Sequence, residues 1–438
     1  MDNEYEAVIK NIYDGIFKEG YDFMSIDRKK PELLIPAGNL EILRTAVMYG
    51  ADAIYIGGDM YGLRAKARNF SMEDMKEGIA FAHEHGKKVY VTANITAHNQ
   101  DLEGIRRYFK ELKAFGKDKP DAFIISDPGV FTIAKEEVPE IEIHISTQAN
   151  NTNYETYKFW YNLGAVRVVS AREMSMEEIA DLRAKIPENM EIETFVHGAM
   201  CIAYSGRCLL SNYFTGRDAN MGECTHSCRW KYHIVEEKRP GEFLPIEEND
   251  RGTYIFNSKD LCMIEYIPEI VTAGINSLKV EGRMKTALYV ATVARTYRKA
   301  IDDYFEDPNL YEKNKSNYLE EVSKGINRQF TTGFFFGKPS HKDQIYNSNT
   351  YDRAYTYLGT ISGERDGLYN LQQKNKFSVG EEIEVIKPNS DTIYTIVKKI
   401  TDDEGNDMES CPHPKQSIYI DLGVELEPYD ILRRKEVE

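Results

Sequence analysis

The chain lacks several things that would each have settled a function. Across 438 residues there is no apolar run approaching the length of a membrane span, so no membrane partner is expected. Positive charge is in deficit: the formal net charge is −16, which argues against a general nucleic-acid coat. Any contact with RNA must then be local, for example at the basic stretch RWKYHIVEEKRP (229–240). There is no HExxH, no GxSxG and no GxGxxG after the first strand-like run. These absences remove the common zinc protease, the hydrolase nucleophile elbow and the dinucleotide fold. The nearest approach to a metal motif is HEH, but His83 and His85 are two apart, so on a helix they project to different sides. Cysteine is scarce at six, and no C-x-x-C pair of a zinc ribbon occurs.

What is present is a regular alternation of short apolar runs and helix-like segments. The runs are ELLIPAG (32–38), AIYIGG (53–58), KVYVTAN (88–94), AFIISD (122–127), IEIHISTQ (141–148), VRVVSAR (166–172), IETFVHG (192–198) and SLKVEGR (277–283). Short β-branched runs, apolar on both faces and separated by one helix each, suit a parallel sheet. Eight of them predict a TIM-like (β/α)8 barrel. Most end in polar or charged residues: Asn94, Asp127, Gln148, Arg172, His197, then Glu281 and Arg283. In such a barrel these ends gather on the catalytic face. A long amphipathic helix over 284–305 closes the unit, and from about Tyr357 the pattern turns period-two with Gly, Asn, Asp and Pro between runs. That predicts a small C-terminal antiparallel all-β barrel or sandwich. The expected division is an N-terminal helical segment (1–30), the barrel (31–340) and the β-domain (341–438). The acidic, amphipathic N-terminus reads as a helix and not a signal peptide, which gives the expectation of a reducing cytoplasm.

One interval breaks the rhythm. Nearly eighty residues separate His197 from Ser277, an insertion over 199–276 that leaves from the catalytic face. It carries Cys201, Cys208, Cys224 and Cys228, with Cys262 near its end. A reducing compartment makes disulfides improper here and favours metal or catalysis. Irregular spacing among small residues suits an iron–sulfur cluster best, with zinc and reactive or structural thiols as the alternatives.

The stretches ETFVHGAMCIAYSGRCLLSNYFTGRDANMGECTHSCRW, IFNSKDLCMI, SLKVEGRMK and ELLIPAGNLEILRTAVMYGADAIYIGG resemble the collagenase-like peptidase family U32. The resemblance runs from about Glu32 to Pro339 and on into that family's C-terminal β-domain. Within the family it is closest to the tRNA hydroxylation branch, whose members hydroxylate the wobble uridine at C5 in a prephenate-dependent process. Sister branches act on 23S rRNA and on a ubiquinone precursor, the latter with a 4Fe–4S cluster. The resemblance therefore implies tRNA as partner, prephenate as a co-substrate or ligand, and a 4Fe–4S cluster on Cys201, Cys208, Cys224 and Cys262. Cys228 is a fifth thiol, able to replace Cys224 or Cys262. A dicarboxylate needs cationic forks, for which Arg64, Arg68, Arg172 and Arg283 are the candidates. Tyr204, Tyr213 and Phe214 are placed to stack on a base. His197 and Glu281 are the candidate catalytic residues, His197 also being the base a thiolate nucleophile would need. The rival functions are a U32-type peptidase and hydroxylation of another substrate.

Overall fold

The computed structural model describes residues 29–62, 69–201, 203–230, 233–234, 244–245, 257–339, 343–345, 353–413 and 415–436. Most of the expected N-terminal helical segment lies outside them. Seven strands run in chain order: β1 (Glu32–Pro36), β2 (Ala53–Gly57), β3 (Lys88–Ala93), β4 (Ala122–Ile125), β5 (Glu142–Ile145), β6 (Arg167–Val169) and β7 (Glu191–Ala199). Two more follow, β8 (Asp260–Cys262) and β9 (Ser277–Val280). β1 to β7 pair in sequence and in parallel. β9 pairs in parallel with β7 on one side and β1 on the other, which closes an eight-stranded barrel. All eight expected runs are barrel strands.

The helices between them are specified locally. α1 (Leu40–Met48), α2 (Met72–Glu84), α3 (Asn99–Lys113), α4 (Pro128–Glu137), α5 (Tyr154–Asn162) and α6 (Met176–Lys185) form most of the outer ring. Asn39, Ser71, Asp127 and Asn153 cap their helices with side-chain oxygens, and Ser175 with Glu178 forms a capping box on α6. Apolar side chains of helices and outward strand faces make one large core, while Leu34, Ala53, Tyr55, Tyr90, Ala122 and Ile124 fill the barrel itself. The insertion contains the short helix α7 (Leu210–Thr215), and α8 (Ile267–Thr272) leads into β9. α9 (Ala287–Glu306) and α10 (Pro308–Ser323) follow the last barrel strand.

β7 is longer than its neighbours and outruns the barrel. Its end pairs antiparallel with β8, Asp260 facing Ala199 and Cys262 facing His197. β10 (Phe330–Thr331) adds in parallel to β8. The return of the insertion is thereby laid beside its departure.

The C-terminal unit is one antiparallel sheet of seven strands: β11 (Tyr355–Arg365), β12 (Leu368–Gln372), β13 (Glu382–Ile386), β14 (Ile393–Ile396), β15 (Lys399–Thr401), β16 (Ser417–Asp421) and β17 (Ile431–Lys435). Their order is β14-β13-β17-β11-β12-β16-β15, curled around its own apolar core; among the described residues no pairing joins the two edges. β11 shifts register after Tyr357 and after Ile361, which bends it so that its halves serve different neighbours. The sheet is tied to the barrel by Tyr49, whose hydroxyl lies 2.7 Å from the Ile386 carbonyl oxygen, and by buried Arg433, which bonds Glu384 and Glu321 of α10.

Candidate active site at the barrel mouth

The C-terminal strand ends bring two arginines to the mouth. Arg172, just beyond β6, donates from Nη1 to the Ala199 carbonyl (2.7 Å) and from Nη2 to Glu281 Oε2 (3.2 Å). Its guanidinium lies 3.9 Å from the centroid of Phe195, and its buried Nε has no partner among the described residues. Arg283, beyond β9, reaches across β1 toward the next strands, donating to Thr92 Oγ1 (3.2 Å) and Asn69 Oδ1 (3.0 Å). The space it occupies exists because β2 ends in glycine: a Cβ on Gly57 would lie 2.8 Å from Arg283 Cζ. Neutral groups line the ends of β3 to β5. Asn94 donates to Ser146 Oγ (3.3 Å), which donates to Gln148 Oε1 (3.1 Å), and the buried Gln148 Nε2 is unpaired among the described residues. Below, Phe195 separates Arg172 from the buried Lys279, whose Nζ is 2.6 Å from Glu193 Oε1.

The insertion lies across this mouth. Asn150, in the left-handed conformation at φ 54°, donates to the Ser205 carbonyl (2.9 Å) and accepts from Arg207 Nε (2.8 Å). Gly206 rests against Gln148, and Thr96 N–H donates to the Asn220 carbonyl (3.2 Å). The cysteine-bearing loop therefore roofs the ends of β3 and β5.

Two family profiles match the sequence. Peptidase family U32 matches residues 38–345, and its C-terminal domain matches 353–433. The chain belongs to peptidase family U32.

The chain is 42% identical over 408 residues to tRNA hydroxylation protein P1 of Bacillus subtilis, spanning 93% of this chain and 95% of the relative. Identity to tRNA hydroxylation protein P of Escherichia coli is 38%, spanning 92% of this chain and 97% of the relative. A 23S rRNA 5-hydroxycytidine synthase of Escherichia coli is 35% identical, spanning 85% of this chain and 52% of that longer protein.

Among the residues expected to act in this U32 chain, Arg172, Glu281 and Arg283 stand together at the mouth, with Glu281 held as the ion-pair partner of Arg172. Arg64 and Arg68 lie outside the described residues. Tyr204 is exposed on the roof, between Cys201 and Cys208. All six cysteines are free thiols, and Cys201 and Cys224 are exposed. The His226 N–H donates to Cys224 Sγ at 3.4 Å. Among the described residues no three His, Cys, Asp or Glu side chains converge as a metal site. By donor chemistry the thiols fit an iron–sulfur group.

Cys262 is the buried member of the set. Its sulfur is 3.9 Å from the Tyr297 hydroxyl, and burial pushes its thiol up to about 12. That same hydroxyl accepts from Met263 N–H (3.1 Å) and donates to the Val196 carbonyl (2.9 Å), stitching β8 to β7.

His197, expected on the catalytic face, does not open onto the mouth. β9 shifts register against β7 between Lys279 and Val280, so Phe195 faces Lys279, His197 faces Val280, and Val196 is the extra residue. The extra residue breaks the alternation that would put His197 on the face of Phe195. Its ring sits instead among Tyr289 and Tyr297 of α9 and Phe330, at 2% exposure. Burial lowers its pKa to about 4, so it is neutral and packed against the outer wall. His83 pairs with Asp121 and His85 with the Phe81 carbonyl, two separate partners.

The positions that sequence reasoning passed over are Gly57, Asn69, Thr92 and Asn150. Only Asn150 had a local signal: an Asn just past a strand end is a good candidate for the left-handed region. A cleft of about 770 Å³ lies away from the mouth, between α9, α10 and the 388–392 loop. Its charges pair with each other, Arg298 with Asp302 and Arg295 with Glu321. No helix among the described residues is long and apolar enough to cross a membrane.

Proposed function

We propose that this chain hydroxylates the wobble uridine of tRNA at C5, with prephenate as its dicarboxylate partner and a 4Fe–4S cluster held by Cys201, Cys208, Cys224 and Cys262. The observation that carries the reading is the placement of a thiol-rich roof over a barrel mouth that holds the buried Arg283 and the half-buried Arg172. End-to-end identity to relatives named for tRNA hydroxylation supports the choice of substrate. When bound, the cluster supplies one-electron redox chemistry. The chain supplies the rest. Arg172 and Arg283 orient carboxylates as charge-assisted forks, Glu281 holding Arg172 in place until a ligand arrives. Phe195 floors the mouth and keeps water from the charges beneath. The neutral Asn94–Ser146–Gln148 wall presents amide and hydroxyl groups to the edge of an unstacked base. The choice of Cys262 over Cys228 as the fourth thiol rests on the family resemblance; its sulfur packs against Tyr297 and its strand pairs with the end of β7. The histidines give a peptidase reading no support: among the described residues His197 is packed into the wall, and His83 and His85 bond Asp121 and the Phe81 carbonyl.

Nucleoside mass spectrometry of tRNA from a strain lacking this gene and its paralogues tests the reading. The hydroxylated wobble uridine should vanish, and return with the wild-type gene but not with Cys201→Ala. Anaerobically purified protein should carry iron and sulfide in near-equal amounts, lost in Cys262→Ala and kept in Cys228→Ala. Unaltered tRNA together with casein cleavage by the pure protein would sink the proposal.

A further inference from the structure

The roof carries an exposed aromatic surface. Tyr213 is 82% exposed, Phe214 43% and Trp230 45%. They form a connected group: Tyr213 and Phe214 have centroids 5.1 Å apart, and Phe214 and Trp230 6.0 Å. The group is held in position from beneath. Ser211 on α7 bonds Thr225 through its hydroxyl (2.7 Å) and accepts from the Thr225 N–H (2.7 Å), and Thr225 bonds Ser227 (2.8 Å). These bonds staple α7 to the short turn Ser227–Arg229 that precedes Trp230. A contiguous exposed apolar patch on a rigid support marks an interaction surface.

The geometry selects the occupant. The ring planes meet at 82° and 51°, so they cannot continue one helical stack of bases. Exposed rings set at angles to one another suit bases splayed from a single-stranded loop. Charge agrees: exposed Arg207 and Arg217 stand on the same roof, a local source of positive charge on a chain with net charge −16. The patch also sits on the segment that runs from Cys208 to just past Cys228, so bases held there are held beside the mouth.

Resting on the function proposed above, we infer that Tyr213, Phe214 and Trp230 are the stacking platform that grips the unstacked bases of the anticodon loop flanking the target nucleotide. The platform supplies affinity that tolerates many base identities, and it lets an acidic protein bind RNA without a broad basic face.

The test is fluorescence anisotropy with a synthetic anticodon stem-loop, and with the same sequence closed into a duplex, on the anaerobic full-length protein. Tyr213→Ala, Phe214→Ala and Trp230→Ala should each weaken stem-loop binding roughly tenfold, Trp230→Phe should largely restore it, and the duplex should bind weakly throughout. Melting temperature and iron content should stay at wild-type values, since the rings are exposed. Wild-type affinity in the triple alanine variant, with tRNA hydroxylation intact, overturns the platform and leaves the function standing. Failure of the wild-type protein to bind the stem-loop or to hydroxylate tRNA overturns the function beneath it. A change of sedimentation in the triple variant without a change in RNA affinity assigns the patch to protein association and also overturns the inference.

Discussion

Arg283 holds its place over the mouth because the residue beneath it has no side chain. Gly57→Ala would set a methyl 2.8 Å from Cζ and push the guanidinium off Thr92 and Asn69. A displaced fork costs orientation more than stability, so tRNA hydroxylation in vivo should fall roughly tenfold to a hundredfold. The thermal midpoint should move by only about a few degrees, and calorimetry beside nucleoside analysis checks both; an unchanged activity would detach Arg283 from the site. The arginine was legible as a charged strand end, whereas Gly57 was not, since its use depends on a residue more than two hundred positions away. His197 shows the opposite case: its place at a strand end was legible, but one extra residue in β7, Val196, turned it to the wall.

At the scale of elements, the barrel strands and helix caps follow from local pattern, and the roof does not. The roof depends on β8 pairing back onto β7 and on Asn150, which holds Ser205 and Arg207. Asn150→Ala removes both bonds and leaves a Cβ residue at φ 54°, a cost of about 1–2 kcal/mol. Limited proteolysis should then cut faster within 203–230 while the barrel resists as before. Asn150→Gly relieves the backbone but not the lost bonds, so it should be cut as readily as the alanine variant. Protection in the glycine variant would mean that backbone strain, and not the latch, matters. The cysteine grouping was legible because it is local. The pairing of Cys262 with His197 was not, because β8 arrives after the whole insertion.

Across the whole molecule, the lower end of the barrel is tied by ions. Arg167 lies 2.6 Å from Glu32 Oε1 and 3.2 Å from Glu193 Oε2, and Glu32 also accepts from Tyr90 (2.6 Å) and Ser277 (2.9 Å). Burial alone would raise the pKa of Glu32, but Arg167 and these donors bring it from 4.5 to about 2. A carboxyl lowered in the folded state adds stability that is complete above its unfolded pKa. The contribution is lost as pH falls from about 4.5 toward 2, on the order of 3 kcal/mol in all. Urea unfolding at pH 6 and pH 3 should show about 2 kcal/mol of that loss in the wild type, the rest following below pH 3. Glu32→Gln should be less stable at pH 6 by roughly 3 kcal/mol, for leaving Arg167 underpaired, and flatter toward acid. Parallel pH curves for the two proteins would remove Glu32 from the acid transition.

The sequence by itself determined the eight strands, the helices that separate them, the change to a β-domain and the thiol-rich insertion, because each is written in neighbours one to four residues apart. Closure of the barrel by β9 between β7 and β1, the return of β8, the bulge that turns His197 and the seat of Arg283 on Gly57 were decided only in the tertiary structure. Each of these joins residues distant along the chain, and what selects them is packing and hydrogen bonding between elements, which no local period encodes.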